Sequence, residues 1–335
     1  MRFKRYVIGT LAALPFLAGA MAAQAQEVTL SAIVSVPVNI ANNKPFLGLI
    51  EDVEKTGKGI AKIKLIGGPE VMPMPEQLNA VSRGITDIYY GATAYYLGQL
   101  PEMTAFSGSN KSGPQLRKEG HIDWLDQLFQ KRVNAKLLGY YGSGYAFHIY
   151  LRREPTLTAD GGVDLKGLKV RGSPSYAAQY DALGIVRVNT APAEVYTALE
   201  RGLLDGVGFI TTGVVDSGWD KFLKYRIFPT FKQGDLAAVM NLDKWKKLTD
   251  AQRDYLTKMF IKHEELSHKF FEDDTKAESE RLKKSGMQDI VLKGPGAKRY
   301  LDAFYETLWP PVEEKLGKDV VAEMRKRFFD PNLSN

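Results

Sequence analysis

The sequence predicts an α/β protein made of two similar lobes. Segments with strand and helix periodicity alternate along the chain, with Gly and Pro residues between them. One helix–turn–strand segment also occurs twice, at a constant offset of 118 residues, since Glu76, Ala80, Arg83, Gly84 and Asp87 recur as Glu194, Ala198, Arg201, Gly202 and Asp205. Helices that start at Pro and end at Gly converge on such residue types, but the constant offset favours a duplicated α/β unit.

The elements of the first lobe follow from apolar spacing and from helix boundaries. Pro75 and Gly84 mark the start and the end of one helix. Proline fits the first helical turn, and glycine readily adopts the left-handed conformation after the last turn. We predict strands over 28–36, 60–66, 85–90 and 135–141, helices over 40–56, 75–83 and 115–131, and a loop over 107–114.

The second lobe is predicted from the stretch between Leu165 and Phe209. Ser173 and Pro174 open one helix that Gly184 ends, while Pro192 and Gly202 bound the next helix. We predict strands over 168–171, 185–188 and 207–210, a strand over 145–151 that crosses between the lobes, and a return crossing over 228–236.

A long helix and a broken helical region complete the chain. Thr249 and Gln252 form a capping-box pattern at the start of a helical segment that runs to about residue 284. At 1.5 Å per residue this helix would span on the order of 50 Å, which exceeds one lobe. From Gly296 onward the sequence is helical, with a break at Pro310 and Pro311.

Composition and charge argue against a nucleic-acid-binding protein. The chain has 335 residues, 44% hydrophobic and 25% charged, which is ordinary for a globular protein. Its net charge of +6 includes Arg2, Lys4 and Arg5 of a basic N-terminus. Without these, 42 basic residues face 39 acidic ones, and no dense basic stripe with aromatics occurs, so we expect no nucleic-acid partner.

Residues 1–25 have the pattern of a secretory signal peptide. A basic start precedes an apolar run from Tyr6 to about Met21, and Ala23-Gln24-Ala25 fits the cleavage site. A membrane anchor is the alternative, but the run is short and contains Pro15. With no Cys in the chain, neither a lipid-attachment cysteine nor a disulfide is available. We therefore expect an exported periplasmic protein that is not inserted in the membrane.

Catalytic patterns find little support. His263-Glu264 resembles the start of a zinc motif, but the next histidine, His268, lies one position too far along the helix. A secreted α/β hydrolase would need a nucleophile and a base, and Ser143 with His148 is the candidate pair. We expect no catalytic residues, no metal site and no cofactor.

Arg171 is the first candidate for binding. It lies where a predicted buried strand ends and a helix begins, the edge at which open α/β sheets bind ligands. A guanidinium makes two parallel charge-assisted hydrogen bonds to a carboxylate. By the internal repeat, the residues after Asp87 and Asp205 lie at matching strand ends, and we predict further ligand contacts at Tyr89, Tyr90, Phe147, Gly208, Phe209 and Thr211.

One stretch resembles a known family. It reads DLKGLKVR over 164–171, ALG over 182–184, EVYTAL over 194–199, then Gly202 and Asp205-Gly206. This is similar to the signature region of the DctP family, the extracytoplasmic solute receptors of TRAP transporters. The resemblance covers nearly the whole mature chain. It implies a periplasmic-binding-protein clamshell, type II-like, with a long helix bridging both lobes.

The resemblance also implies function and partners. It implies a non-enzymatic receptor, which we expect to be a monomer, that binds a carboxylate between its lobes. The receptor would deliver this organic acid to the small and large membrane subunits of a TRAP transporter. We assign 26–148 with about 237–276 to lobe I, and 149–236 with about 277–335 to lobe II.

The chain departs from the family at two positions. Family members that bind sugar acids and dicarboxylates carry an Asn after the Asp-Gly pair and a second Arg on the crossing strand, where this chain has Phe209 and Phe147. A buried Phe needs apolar surface rather than polar ligand atoms. We therefore predict an organic acid with an aromatic or apolar body. A sugar acid, a dicarboxylate or a two-lobed signalling module are the alternatives.

Overall fold

The computed structural model describes residues 26–190 and 194–330. The predicted signal peptide and Pro192 lie outside these ranges. The strands are β1 Val28–Val34, β2 Ala61–Gly67, β3 Ile88–Ala92, β4 Ala135–Tyr140, β5 Ala146–Leu151, β6 Thr156–Leu157, β7 Val163–Asp164, β8 Lys169–Arg171, β9 Val186–Val188, β10 Gly206–Ile210, β11 Tyr225–Phe228, β12 Phe231–Gln233, β13 Leu236–Asn241 and β14 Gln288–Val291.

The helices alternate with these strands over most of the chain. They are α1 Lys44–Thr56, α2 Met74–Ser82, α3 Thr104–Ser107, α4 Gly113–Lys118, α5 His121–Val133, α6 Ala177–Ala182, α7 Val195–Glu200, α8 Leu242–Lys247, α9 Asp250–Lys284, α10 Gly294–Tyr305, α11 Pro310–Leu316 and α12 Lys318–Phe328. Short 3₁₀ turns at Thr93–Tyr96, Pro101–Met103 and Pro174–Tyr176 precede or follow the strands near the centre of the molecule.

Two sheets define two lobes. The sheet of lobe I has the strand order β2-β1-β3-β13-β4, and that of lobe II has the order β14-β11-β5-β10-β8-β9 with β12 also paired to β5. Each sheet carries one hydrophobic cluster on either face, with helices packed over both. This is the two-lobed α/β architecture that the sequence predicts.

The duplicated segment has the same structural role in both lobes. Gly84 and Gly202 follow α2 and α7 with φ of +73° and +69°, values that glycine adopts without strain. The Asp87 carboxylate accepts a hydrogen bond from the amide of Ser31 in β1 (2.8 Å), and the Asp205 carboxylate accepts one from the amide of Lys169 in β8 (2.8 Å). Each aspartate thus fixes its strand beside a parallel neighbour.

The long helix α9 joins the two lobes. Its 35 residues begin at the predicted capping box, where the Thr249 hydroxyl accepts from the Gln252 amide at 3.3 Å. The helix buries Leu256, Phe260 and Phe271 against lobe I and Leu282 against lobe II. At 1.5 Å per residue this helix is ~50 Å long, long enough to reach both cores.

The chain also crosses between the sheets at 141–145 and at 234–235. Gly142 and Gly234 lie against each other there, because a Cβ on Gly142 would stand 2.4 Å from the Gly234 carbonyl carbon. The Gly234 amide donates to the Tyr145 carbonyl at 3.0 Å. The two crossing segments therefore touch along their backbones, which brings β12 and β13 close to the cleft.

The C-terminal helices differ from the predicted lobe assignment. Helix α10 packs on lobe II through Tyr300 and Phe304, but α11 and α12 bury Val312, Val321 and Phe328 in a cluster of lobe I. Residues 310–328, which we assigned to lobe II, therefore pack on lobe I. Their apolar spacing predicts a buried helix face but not which sheet covers it. The other lobe boundaries stay a prediction.

Two smaller expectations were also wrong. The helix predicted over 115–131 is divided into α4 and α5, because Gly120 between them has φ of +75°. The strand predicted from Ile85 begins at Ile88, and Ile85 itself is 68% exposed.

Among the described residues, no helix has the length and apolar composition to span a membrane.

Candidate functional site

Arg171 is the last residue of β8 and lies between β10 and the turn before α6. Its Nε donates to the Thr190 carbonyl at 3.2 Å, and its Nη1 donates to the Gly208 carbonyl at 3.3 Å. The pairing of Arg171 with Val207 and Val188 in the two adjacent parallel strands fixes its backbone. Two backbone carbonyls thereby hold the guanidinium in one orientation.

The charge of Arg171 has no acidic partner in the described part of the chain. No Asp or Glu described there lies within ion-pair distance of it, and its Nη2 donates no hydrogen bond to a described residue. Arginine offers five N–H donors, of which these bonds use two. A half-buried guanidinium with an open Nη1–Nη2 edge can bind a carboxylate through two parallel hydrogen bonds.

Aromatic residues surround this guanidinium. The Arg171 Cζ lies 5.9 Å from the centroid of the Phe209 ring, which in turn packs edge-on against Trp219. The Tyr176 hydroxyl donates to the same Gly208 carbonyl as Arg171, at 2.8 Å. The sequence did not indicate Tyr176, although it lies in the small-residue stretch directly after Arg171.

Tyr95 of lobe I faces Arg171 from the other side of the cleft. The turns Thr93–Tyr96 and Pro174–Tyr176 contact each other, which brings the two lobes together at this point. Although Tyr95 is 44% exposed, desolvation of its hydroxyl raises its pKa, the charge of Asp235 raises it further, and the charge of Arg171 opposes the shift. Apart from its position after β3, no sequence signal indicated Tyr95.

A buried ion pair lies at the base of the cleft. The Lys232 Nζ is 3.2 Å from an Asp235 carboxylate oxygen, and both side chains are at most 5% exposed. The same Nζ lies 4.5 Å from the centroid of the Phe147 ring. Desolvation lowers the pKa of Lys232, while the adjacent Asp235 opposes that shift. The two residues are only three positions apart, and sequence reasoning missed the pair because its burial depends on how the surrounding segments pack.

Asp235 also accepts two hydrogen bonds from the turn that carries Tyr95. Its second carboxylate oxygen accepts from the amide of Ala94 at 2.8 Å, and its carbonyl accepts from the amide of Thr93 at 2.9 Å. Asp235 therefore connects β12 of lobe II to the cleft-facing turn of lobe I.

The other predicted ligand residues fall into two groups. Gly208 supplies the carbonyl shared by Arg171 and Tyr176, and Phe147 and Phe209 are half-buried near the cleft. Thr211 is 4% exposed, and its hydroxyl lies 2.9 Å from that of Thr275 in α9, so it joins lobe II to the long helix.

The structure places Tyr89 and Tyr90 in the core rather than at the cleft, so this expectation was wrong. Both are fully buried, and their hydroxyls donate to the carbonyls of Ala92 and Asn42. Consecutive residues of a strand point to opposite faces. Both faces of the lobe I sheet are covered, so Tyr89 lies in one cluster and Tyr90 in the other.

The candidate hydrolase pair is not assembled. The Ser143 hydroxyl accepts from the Gly113 amide at 2.9 Å, whereas the His148 Nδ1 donates to the Ile227 carbonyl at 2.7 Å. Both residues are at most 2% exposed, and no hydrogen bond joins them. Burial lowers the pKa of His148 to about 4, because the imidazolium form would be desolvated.

Within the described residues, no group of three or more His, Cys, Asp or Glu could hold a metal ion.

This buried histidine predicts a pH dependence of stability. Between its ordinary pKa of 6.5 and about 4, the unfolded chain binds a proton that folded His148 does not bind. The unfolded state then holds more protons, so His148 causes the free energy of unfolding to fall as the pH decreases, by at most ~1.4 kcal/mol per pH unit. Urea denaturation of His148→Phe should show a shallower decrease below pH 6.5 than the original chain. Equal slopes in both proteins would contradict this assignment.

Comparison with known families gives one extensive match. Residues 44–309 match the model of the DctP family, described as bacterial extracellular solute-binding protein, family 7. A curated relative is the monocarboxylate 2-oxoacid-binding periplasmic protein of Nostoc sp. (strain PCC 7120), 27% identical over 210 residues. That match covers 58% of this chain and 55% of the relative, so the chain spans about half the length of that relative.

Solved structures share the fold at low identity. A TRAP periplasmic solute-binding protein from Ochrobactrum anthropi, with its C-terminus bound in the ligand-binding pocket, aligns with a TM-score of 0.76 and 18% identity over 91% of this chain and 95% of its own. An extracytoplasmic solute receptor of Bordetella pertussis that binds pyroglutamic acid aligns with a TM-score of 0.74 and 18% identity, over 90% of this chain and 99% of its own.

Proposed function

Because the chain belongs to the DctP family of bacterial extracellular solute-binding proteins, which are receptors rather than enzymes, we propose that it is a periplasmic TRAP receptor for an organic acid. The ligand binds in the cleft between the lobes, and the receptor delivers it to the membrane subunits of a TRAP transporter. The observation that carries this proposal is the half-buried Arg171, which has no acidic partner among the residues that the structure describes.

The carboxylate of the ligand binds at the Nη1–Nη2 edge of Arg171. Thr190 and Gly208 hold the guanidinium from behind, so little side-chain entropy is lost when the ligand binds. The names of two similar proteins support the same chemistry, since one binds monocarboxylate 2-oxoacids and the other pyroglutamic acid.

The body of the ligand lies against aromatic surface. Phe209 on one side of Arg171 and Tyr95 across the cleft are aromatic side chains rather than charged ones. The charge of Lys232, the cation nearest Phe147, is neutralised by Asp235. Arg171, the one cation at the cleft without an acidic partner among the described residues, favours a single carboxylate on an apolar or aromatic body over a dicarboxylate.

Closure of the lobes follows from contacts that require both lobes. Arg171 belongs to lobe II and Tyr95 to lobe I, so a ligand that touches both stabilises the closed state over an open one. The crossings at 141–145 and 234–235 and the long helix α9 are the connections about which the lobes would rotate.

Thermal unfolding of residues 26–335 against a panel of acids tests this proposal. The panel contains 2-oxoacids and aromatic acids, aliphatic monoacids, dicarboxylates and sugar acids. A ligand at about 1,000 times its Kd adds ~4 kcal/mol to the free energy of unfolding, which raises the midpoint by several degrees.

A rise with 2-oxoacids or aromatic acids is the expected result. A rise only with sugar acids or dicarboxylates would keep the receptor and refute the apolar body. No rise with any acid would refute the carboxylate site. A receptor that binds acids but whose gene lies apart from any transporter gene would favour a signalling module.

A further inference from the structure

The Lys232–Asp235 ion pair lies where the chain crosses from β12 of lobe II to β13 of lobe I. The two side chains are 1% and 5% exposed, so an acid bound at Arg171 cannot touch either of them. Replacing a buried ion pair by apolar residues of similar volume is often neutral or stabilising. This pair is therefore better explained by the segments that it holds in place than by its contribution to stability.

Asp235 holds the cleft-facing turn of lobe I. Its carboxylate accepts from the Ala94 amide at 2.8 Å, and its carbonyl accepts from the Thr93 amide at 2.9 Å. The two ends of this turn are buried in lobe I, with Thr93 0% and Tyr96 1% exposed, whereas Tyr95 between them is 44% exposed. The carboxylate thus fixes the backbone directly before the exposed tyrosine ring.

The same turn is a contact between the lobes. The turns Thr93–Tyr96 and Pro174–Tyr176 lie against each other, and two residues separate the second turn from Arg171. The Tyr95 hydroxyl is near both charges, since its pKa is raised by desolvation and then by Asp235, and is lowered by Arg171. A shift of this turn therefore moves Tyr95 relative to Arg171 and changes the geometry of the acid site.

Lys232 connects the ion pair to the wall of lobe II. Its Nζ lies 3.2 Å from an Asp235 carboxylate oxygen and 4.5 Å from the centroid of the Phe147 ring. The Phe147 and Tyr176 rings are 5.7 Å apart between centroids, and the Tyr176 hydroxyl donates to the Gly208 carbonyl, which also holds the guanidinium. The pair is thus linked to both walls of the acid site, through the turn in lobe I and through two aromatic rings in lobe II.

We propose that Asp235 is a positioning residue of the acid site, because its carboxylate holds the turn that presents Tyr95 opposite Arg171. This proposal rests on the proposed function. Lys232 supplies the counter-charge that allows this carboxylate to be buried. The affinity for the acid thus depends on a residue that the acid does not touch. Only molecules with the turn in place have the complete site, and the apparent Kd rises as their fraction falls.

Two double variants separate the hydrogen bond from the charge. Lys232→Met/Asp235→Asn and Lys232→Met/Asp235→Leu both remove the ion pair, and asparagine and leucine have similar shapes, but only asparagine can accept from the Ala94 amide. Calorimetric titration uses residues 26–335 and the acid that gives the largest thermal shift. The asparagine variant should have a Kd within about threefold of the original, and the leucine variant a Kd about tenfold higher or more. Asp235→Ala with Lys232→Met also lacks the acceptor and needs no additional room, so it makes the same comparison where leucine prevents folding.

Two further measurements distinguish positioning from a general loss of stability. With Tyr95→Ala added to both double variants, their Kd values should agree within about twofold, because no ring remains to be positioned. In the unliganded protein, the Ala94 amide should exchange its hydrogen about tenfold faster or more in the leucine variant than in the asparagine variant.

Lys136→Met/Asp126→Leu is the matched control. Asp126 is 4% exposed, accepts from the Leu137 amide at 2.7 Å and pairs with the Lys136 Nζ at 2.5 Å. This variant therefore loses the same two kinds of interaction at the start of β4, whereas the crossing at 141–145 follows the other end of that strand. It should lower the midpoint of thermal unfolding and leave the Kd unchanged.

Four results would overturn the positioning role alone. They are equal Kd values of the asparagine and leucine variants, a difference that survives in Tyr95→Ala, equal exchange rates of the Ala94 amide, and an equal loss of affinity in the control. In each case the acid would still bind through Arg171, so the receptor proposal would stand. Absence of Arg171-dependent binding by any acid would overturn both proposals.

Discussion

Replacing Arg171 by methionine is expected to weaken binding of the acid by about 10²- to 10⁴-fold. Two charge-assisted hydrogen bonds to a carboxylate are lost, each worth about 1.5–3 kcal/mol. Lys232 is already paired with Asp235 and so is not free to take over the carboxylate. Calorimetric titration with the acid that gives the largest thermal shift measures the change in Kd.

Two further variants make this prediction specific. Arg171→Lys keeps the charge but loses the planar fork, so it should recover only part of the affinity. Arg187→Met removes an exposed arginine of β9, which donates to the Asn189 side chain at 3.0 Å, and should leave the Kd unchanged. An Arg171→Met protein that keeps its original Kd would show that the carboxylate binds elsewhere.

Replacing Lys232 by methionine is expected to lower the free energy of unfolding by about 3–5 kcal/mol. The variant leaves the Asp235 carboxylate buried without its cation, the situation in which one half of a buried ion pair becomes strongly unfavourable. Lys232 has φ of +47°, which methionine would share, so the backbone strain is the same in both proteins. Urea denaturation at pH 7 measures the difference.

The double variant and an exposed ion pair separate the possible causes. Lys232→Met combined with Asp235→Asn removes both charges while Asn can still accept from the Ala94 amide, so it should recover most of the loss. Lys269→Met breaks an exposed pair with Asp273 in α9, whose side chains are 72% and 56% exposed, and should change the free energy of unfolding by less than ~1 kcal/mol. Equal losses in Lys232→Met and Lys269→Met would refute the role of burial.

Much of the architecture could be predicted from the sequence, because its signals are local. The capping box at Thr249 starts α9, and Gly84 and Gly202 end the two duplicated helices with positive φ. Arg171 was located by the same kind of signal, the transition from strand to helix. These features depend on backbone preferences of a few neighbouring residues, which act before any tertiary contact forms.

The faces of the strands could not be predicted in the same way. Tyr89 and Tyr90 follow the repeated aspartate just as Val207 and Gly208 do, yet both tyrosines lie in the core. Sheets covered on both faces have apolar residues at successive positions, so the sequence carries no alternation that distinguishes core from cleft. Phe209, the residue directly after Gly208, is only half-buried and lies 5.9 Å from the Arg171 Cζ.

Local sequence signals are enough to predict the α/β class, the duplicated unit, the long helix and the candidate carboxylate-binding arginine. The surroundings of that arginine depend on tertiary packing. Lys232 stands over Phe147 because β12 pairs with β5, and Asp235 accepts from the Ala94 amide because the second crossing meets the turn of lobe I. Such contacts join residues about 85 to 140 positions apart. They depend on how the lobes pack, which no local preference encodes.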